Sequence, residues 1–418
     1  MFFVDGGDNR TVGFVTAAMG GAQVATAPLV GFLVDRWRRQ TMVRAAAVAG
    51  VVCAAVNAAA FATLELRWLW AGAALGGVYQ GIANPSVKTL LTDSTRPGPE
   101  RSGVFANAFV VRALSKAVAP LLSLALFAAL GDRWHLPTLR VVLLVGVALL
   151  LVPCCLCLFM RDEDAVDGLE HQPAPARAAA DAPKGDLEQP LLAAEAAPPA
   201  ASVRVCGVAL GVAAIPWIVA TSDFIIASGA GMTVQFFPLF FVNVYSLRPT
   251  QLMGVYVAMY VVVGLSGWLA KQANKRHKAG AAAGRCAPSR AAIAVVTGAL
   301  GTACLACMVI VAPWFVDIPL FLLRTGLMNS SGPLQRALMM DAAKPEDRGK
   351  WNAAESLTAF TWTGSAAVGG LLVHQHGYRF AFGITAVFYV VGVLGLTPLL
   401  RLQRLLLPAA ARGSGGKQ

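Results

Sequence analysis

The stretch Gly31-Phe-Leu-Val-Asp35-Arg-Trp-Arg-Arg-Gln40 determines how the whole chain is interpreted. It lies between two apolar segments, 11–34 and 41–63, and each is long enough to cross a bilayer as a helix, which takes roughly 20 apolar residues. A short loop with one acid and three arginines between two such segments indicates a connection at a membrane surface.

The composition supports a membrane protein. Of the 418 residues, 57% are hydrophobic and only 13% are charged, whereas soluble domains have about 25% charged residues. The net charge of +12 does not indicate a nucleic-acid partner, because the basic residues cluster at the ends of apolar segments. The eight cysteines lack the spacing and histidine partners of a zinc site. We therefore expect a lipid bilayer as the environment, and no metal or cofactor.

Eleven apolar segments are predicted to span the membrane as helices, because backbone in lipid must satisfy its own hydrogen bonds. They cover residues 11–34, 41–63, 67–91, 102–130, 137–159, 213–242, 250–271, 291–314, 317–341, 350–374 and 379–402. This predicts an all-α membrane protein.

The distribution of Lys and Arg predicts the orientation. Of the 34 basic residues, 25 fall on the side that carries the Asp35 loop, six fall on the other side, and three lie within spans. By the positive-inside rule, the Asp35 loop, the central linker and the C-terminus are expected to be cytoplasmic. Which membrane the chain occupies stays open.

The segment 161–204 differs from the rest of the chain, because Ala, Pro and acidic residues fill it. It is predicted to be a disordered cytoplasmic linker. It divides an N-terminal bundle at 1–160 from a C-terminal bundle at 205–405, and 406–418 form a tail.

The two bundles contain a repeated pattern. The segment from Pro85 to Asp93 aligns with the segment from Pro333 to Asp341, with a basic residue three positions after the proline and an acid eight positions after it. Parallel repeats related by an axis along the membrane normal are typical of one class of transporter. Chance similarity between two short loops is the alternative.

The chain resembles the major facilitator superfamily. The residues Gly31, Leu33, Asp35, Arg36 and Arg39 match its signature Gly-x-Leu-x-Asp-Arg-x-Gly-Arg-Lys, while Arg38 and Gln40 replace the second Gly and the last basic residue. The resemblance implies two bundles of six helices, here 5+6. In the family the signature follows helix 2, so we expect helix 1 to be missing, through a truncated gene model.

The resemblance also implies a gating role for the loop of Gly31, Asp35, Arg36 and Arg39, with Asp35 and Arg39 acting as a latch between the bundles. Ordinary anchoring by positive charge is the alternative.

Charges inside spans are costly, at about 2.5–3.5 kcal/mol each, and usually face a cavity. The basic residues Arg112, Lys116 and Arg324, and the acid Asp223, occupy such positions. The helices that line the family's cavity add further candidates for substrate binding, and these are Gln80, Asn84, Gln235 and Asn329. For the amides, an interhelical hydrogen bond is the alternative.

The resemblance, together with these residues, implies a secondary active transporter that moves a small solute by alternating access. Three deep cations against one acid favour an anionic or carboxylate-bearing substrate, and the alternative is that Arg112 or Lys116 pairs with Asp223. Asp223 is also the candidate for proton coupling. A monomer is expected. The alternatives are a non-transporting sensor or scaffold of the same fold and an inactive truncated transporter. No catalytic constellation is present, so an enzyme is not expected.

Overall fold

The structure is a computed structural model, and it describes residues 8–36, 39–93, 101–160, 203–205, 208–282, 289–342 and 348–403. Each predicted span is mostly helical over its described residues, which confirms the all-α class. The predicted linker 161–204 lies outside the described residues except for its last two positions, and so does the tail 406–418.

The described residues of the first half form six helices. They are α1 (Asn9–Arg36), α2 (Arg39–Thr63), α3 (Leu66–Asp93), α4 (Arg101–Ser115), α5 (Val118–Leu130) and α6 (Leu136–Phe159). The predicted span 102–130 is interrupted between α4 and α5. Pro120 has no N–H with which to bond the carbonyl four residues earlier, at Lys116, so the helix breaks at Lys116–Ala117.

The second half begins with a short antiparallel hairpin, β1 (Val203–Val205) with β2 (Val208–Leu210), in which Val203 pairs with Leu210. In the described part of the chain beyond it, nine helices follow. They are α7 (Ala214–Thr233), α8 (Phe237–Tyr245), α9 (Pro249–Ala282), α10 (Arg290–Cys307), α11 (Trp314–Ser330), α12 (Gly332–Ala342), α13 (Arg348–His376), α14 (Tyr378–Leu396) and α15 (Leu399–Leu402).

Two more predicted spans are interrupted. The span 213–242 contains a 3₁₀ turn at Val234–Phe236 between α7 and α8, in the region where Gly231 and Pro238 weaken the helix. The span 317–341 breaks at Ser331, just before Pro333, which suits the first turn of a new helix. The helix of span 250–271 continues to Ala282, beyond its predicted end.

Seven helical stretches of the described residues are long and apolar enough to cross a membrane. They are Gln40–Thr63, Val110–Leu130, Leu136–Phe159, Ala214–Tyr245, Pro249–Ala273, Arg290–Cys307 and Tyr378–Leu402. The other four predicted spans correspond to α1, α3, α11 with α12, and α13. Of these, α1 packs against both α3 and α13. The number of eleven spans stays a prediction.

Among the described helices, the main contacts between the two halves form two interfaces. Helix α1 packs against α13, and α4 with α5 packs against α9. At the first interface the backbones are very close, because a Cβ atom added to Gly13 would lie 2.5 Å from the carbonyl oxygen of Ala366 and 3.2 Å from the Cα of Gly370. Small residues at such crossings let helices in lipid gain van der Waals contact.

Candidate functional site

The contact between the halves includes several polar pairs at one end of the bundle, beside apolar contacts of Val12 and Trp134. We call this the Asp132 end, and it comprises residues 8–13, 60–66, 130–136, 243–250, 308–317 and 370–379. At this end, Arg140 of α6 donates to the carbonyl of Phe61 at the end of α2. In the loop between α5 and α6, the carboxylate of Asp132 accepts hydrogen bonds from the N–H of Thr250 at 2.9 Å and from its hydroxyl at 2.7 Å. The indole N–H of Trp134 donates to the carbonyl of Leu247 at 2.9 Å. The first half therefore caps the start of α9 in the second.

The α1–α13 interface carries a second set of polar contacts at the same end. A carboxylate oxygen of Asp8 lies 2.5 Å from Nδ1 of His374. The hydroxyl of Tyr378 donates to the side-chain oxygen of Asn9 at 3.3 Å and accepts from the amide of Asn243 at 2.7 Å. His374 lies in the last turn of α13 and joins the two halves.

Two of the predicted site residues come together in the first half. The Arg112 guanidinium donates to the amide oxygen of Asn84 at 3.5 Å and so links α4 to α3. Lys116 lies one turn further along, in the break between α4 and α5, and both cations are exposed. Neither cation pairs with a carboxylate among the described residues.

Arg324 is placed differently from Arg112 and Lys116. Its side chain is 4% exposed and lies inside the second half. It donates to the hydroxyl of Tyr389, and its guanidinium carbon lies 5.2 Å from the ring centre of Phe237 and 5.4 Å from that of Tyr389. Its Nε atom has no hydrogen-bond partner within the described part of the chain. The aromatic faces supply part of the stabilisation that a counter-ion would give.

A second buried charge cluster went unrecognised in the sequence. Asp317 is fully buried, and one of its carboxylate oxygens accepts from Arg379 at 3.1 Å and from the hydroxyl of Tyr245. Arg379 also donates to the carbonyls of Met308 and Ile310. In the sequence, Asp317 and Arg379 are two charges near the ends of different spans. Their pairing could not be predicted, because it depends on how those helices pack.

The remaining candidates belong to different elements of the fold. The amide of Gln80 lies 3.8 Å from the sulfur of Met19, and the amide of Asn329 donates to the carbonyl of Thr325 at 2.8 Å, so the amide groups make contacts within the bundles. Gln235 lies in the 3₁₀ turn between α7 and α8. Asp223 lies in α7 and is partly buried.

The predicted gating loop becomes the end of one helix and the start of the next. Gly31, Asp35 and Arg36 belong to the last turns of α1, and Arg39 begins α2. The side chains of these four residues lie outside the described part of the structure, so the latch stays a prediction.

The fold and the sequence both match known proteins. The family model described as Major Facilitator Superfamily matches residues 6–354. The structure is similar to a bacterial homolog of the human lysosomal transporter Spinster, solved in an inward-facing and occupied conformation, with a TM-score of 0.60 and 11% identity. That match covers 94% of this chain and 90% of the other. No curated protein sequence matches the chain.

The family model spans well over half of the 418 residues, and the solved structure supports the same fold independently. The chain therefore belongs to the Major Facilitator Superfamily, a superfamily of secondary transporters, and is a multi-pass membrane protein.

Proposed function

We propose that this chain moves a small organic anion across a membrane by rocking its two halves about a central site. Membership of the superfamily supports transport. Beside the apolar contacts of Val12 and Trp134 with the second half, a few polar pairs join the halves at the Asp132 end, and these pairs support the motion. Such contacts can form and break at modest cost.

The proposal of an anionic substrate rests on one observation: some cations of the structure have a carboxylate partner, and others have none. Arg379 and Arg10 pair with carboxylates at 3.1 and 3.7 Å. By contrast, Arg112, Lys116 and Arg324 have no carboxylate partner among the described residues, although all three lie deep in predicted spans. Cations kept without a counter-ion in a membrane protein favour the binding of an anion.

Proton coupling is proposed through Asp223 in α7. A carboxyl group inside a membrane span is the usual carrier of a coupled proton. Uptake that keeps its full dependence on a pH gradient in an Asp223→Asn variant would contradict this role.

Transport is tested by reconstituting the full chain in proteoliposomes and measuring uptake from a panel of organic anions. We expect at least one carboxylate-bearing solute to accumulate above empty liposomes. A non-transporting sensor of the same fold is the second candidate, and it predicts binding of the same solute in detergent without uptake.

The orientation belongs to the same proposal. The excess of Lys and Arg on the Asp35 side supports a cytoplasmic location for that side, and the Asp132 end would then face away from the cytoplasm. In sealed vesicles whose cytoplasmic face points outward, an added protease is expected to cleave a site inserted in the segment 161–204 and to spare one inserted after Arg133.

A further inference from the structure

The strongest unassigned feature is the pair of cations at the break between α4 and α5. Two like charges one helical turn apart repel each other. Each also carries the cost of placing a cation within a membrane span. Arg112 and Lys116 bear both costs, and among the described residues no carboxylate compensates either of them. A structural role for the pair would need such a partner.

The direction in which these cations face follows from the contacts of α4. Leu114 packs against Gly264 of α9, and a Cβ atom added to that glycine would lie 2.8 Å from the leucine side chain. Asn107, seven residues earlier and on the same helical face, accepts a hydrogen bond from Lys271 of α9. At 100° per residue, Arg112 and Lys116 lie about half a turn away from this face. They therefore point away from α9, and Arg112 reaches Asn84 of α3.

The hydrogen bond from Arg112 also orients Asn84. Because the amide oxygen of Asn84 accepts from the guanidinium, the amide NH₂ group is left to donate elsewhere. The remaining N–H groups of Arg112, the ammonium of Lys116 and the amide of Asn84 form a set of donors without an acidic residue among them. A guanidinium fork binds oxyanions in a bidentate way, while a lysine acts as a point charge.

We infer that Arg112, Lys116 and Asn84 form a binding site for an oxyanion group with two negative charges, such as a dicarboxylate or a phosphate. This inference rests on the proposed anion transport and adds the charge and the location of the substrate group. Arg324 lies outside this site, because its guanidinium is enclosed by Tyr389 and Phe237 in the second half. Two cations match two negative charges, whereas a single carboxylate would leave one cation without a partner.

The site is tested by equilibrium binding to the purified full chain in nanodiscs of neutral lipid. Succinate and inorganic phosphate are compared with acetate at fixed ionic strength and a pH of about 7.5, at which phosphate is mainly a dianion. We expect both dianions, or one of them, to bind at least about tenfold more tightly than acetate, a difference of about 1.4 kcal/mol. Preference for succinate alone would assign a dicarboxylate, and preference for phosphate alone would assign a phosphate group. Equal binding of acetate and the dianions, or no binding of either dianion, would overturn the inference.

The variants Arg112→Gln and Lys116→Gln assign the site. Each is expected to weaken dianion binding at least about tenfold, with the thermal midpoint of unfolding close to that of the unmodified chain. Arg133→Gln is the matched control, because Arg133 is an exposed cation in the loop at the Asp132 end, and binding should not change. If either site variant keeps the affinity of the unmodified chain, the site is wrong.

Measuring uptake beside binding separates this site from the proposed function. Dianion binding without uptake would support the site and contradict transport. Anion uptake that is unchanged in Arg112→Gln and Lys116→Gln would support transport and overturn the site.

Discussion

The carboxylate of Asp132 binds the N–H of Thr250 at 2.9 Å, across 118 positions of sequence, and caps the first turn of α9. Helix starts have unpaired N–H groups and a partial positive charge, so a carboxylate there is favourable. Asp132 belongs to the first half and α9 to the second. The cap therefore exists only while the two halves touch at the Asp132 end, and it stabilises the state in which that end is closed.

Removing this cap is expected to favour opening at the Asp132 end. Asp132→Ala should cost the closed state about 1 kcal/mol, the usual value of a helix cap, and shift the equilibrium about fivefold toward separated halves. The distance between spin labels on the two halves measures the shift. Arg133→Ala, at the neighbouring exposed position, is the control and should leave the distances unchanged.

The glycine contact between α1 and α13 predicts a second way to open the same end. A methyl group on Gly13 would lie 2.5 Å from the carbonyl oxygen of Ala366, so Gly13→Ala must push the two helices apart. Gly21, on the same helix, has open space where a methyl group would lie, with no neighbouring atom within 4 Å, and Gly21→Ala is the control. Only the first variant should lengthen the distance between labels on α1 and α13. Equal distances in both variants would contradict the packing.

The buried pair of Asp317 and Arg379 is expected to hold the second half together. Asp317 is fully buried, so Asp317→Asn leaves Arg379 without its charge partner and should destabilise the fold by about 3–5 kcal/mol. The exposed pair of Arg67 and Glu65 provides the comparison. Arg67→Gln should change the thermal midpoint in detergent little, because water screens an exposed pair. A small effect of Asp317→Asn would show that the buried pair is not a main support.

Tyr389 is expected to stabilise the buried cation Arg324. The variant Tyr389→Phe keeps the ring beside the guanidinium but removes the hydroxyl that accepts its hydrogen bond, at a cost of about 1.5–3 kcal/mol for a charged donor. Tyr260→Phe is the matched control, since no hydrogen bond of the Tyr260 hydroxyl is present among the described residues. Thermal unfolding in detergent measures both variants. Equal midpoints would contradict the role of the hydroxyl.

The sequence predicts the helices well, because lipid leaves a spanning backbone no other way to pair its polar groups. The apolar character of the segment 102–130 predicts an uninterrupted span. The sequence nevertheless contains the cause of the break at Lys116, because Pro120 cannot donate a hydrogen bond to the Lys116 carbonyl. The sequence does not predict which residues contact each other across the two halves. The bond between Asp132 and Thr250 depends on how the two halves dock, and nothing local to either residue indicates the other.

In the candidate site, too, the sequence predicts the positions of residues along their helices but not their contacts. The depth of Arg112 and Arg324 within their spans follows from sequence spacing alone. Their surroundings do not, because the direction of a side chain depends on which helices pack beside it. Arg112 contacts Asn84 in the first half, whereas Arg324 is enclosed by aromatic rings in the second. Two residues with the same sequence signal therefore have different environments.

The central claim is that the two halves separate at the Asp132 end as part of alternating access. Electron spin resonance distances between labels at Leu64 and Val311 test it most directly, because these exposed loop residues lie in different halves at that end. In a background without the eight native cysteines, the account predicts two distance populations, with the longer one increased by Asp132→Ala and Gly13→Ala. A single narrow distribution that neither variant changes would contradict it.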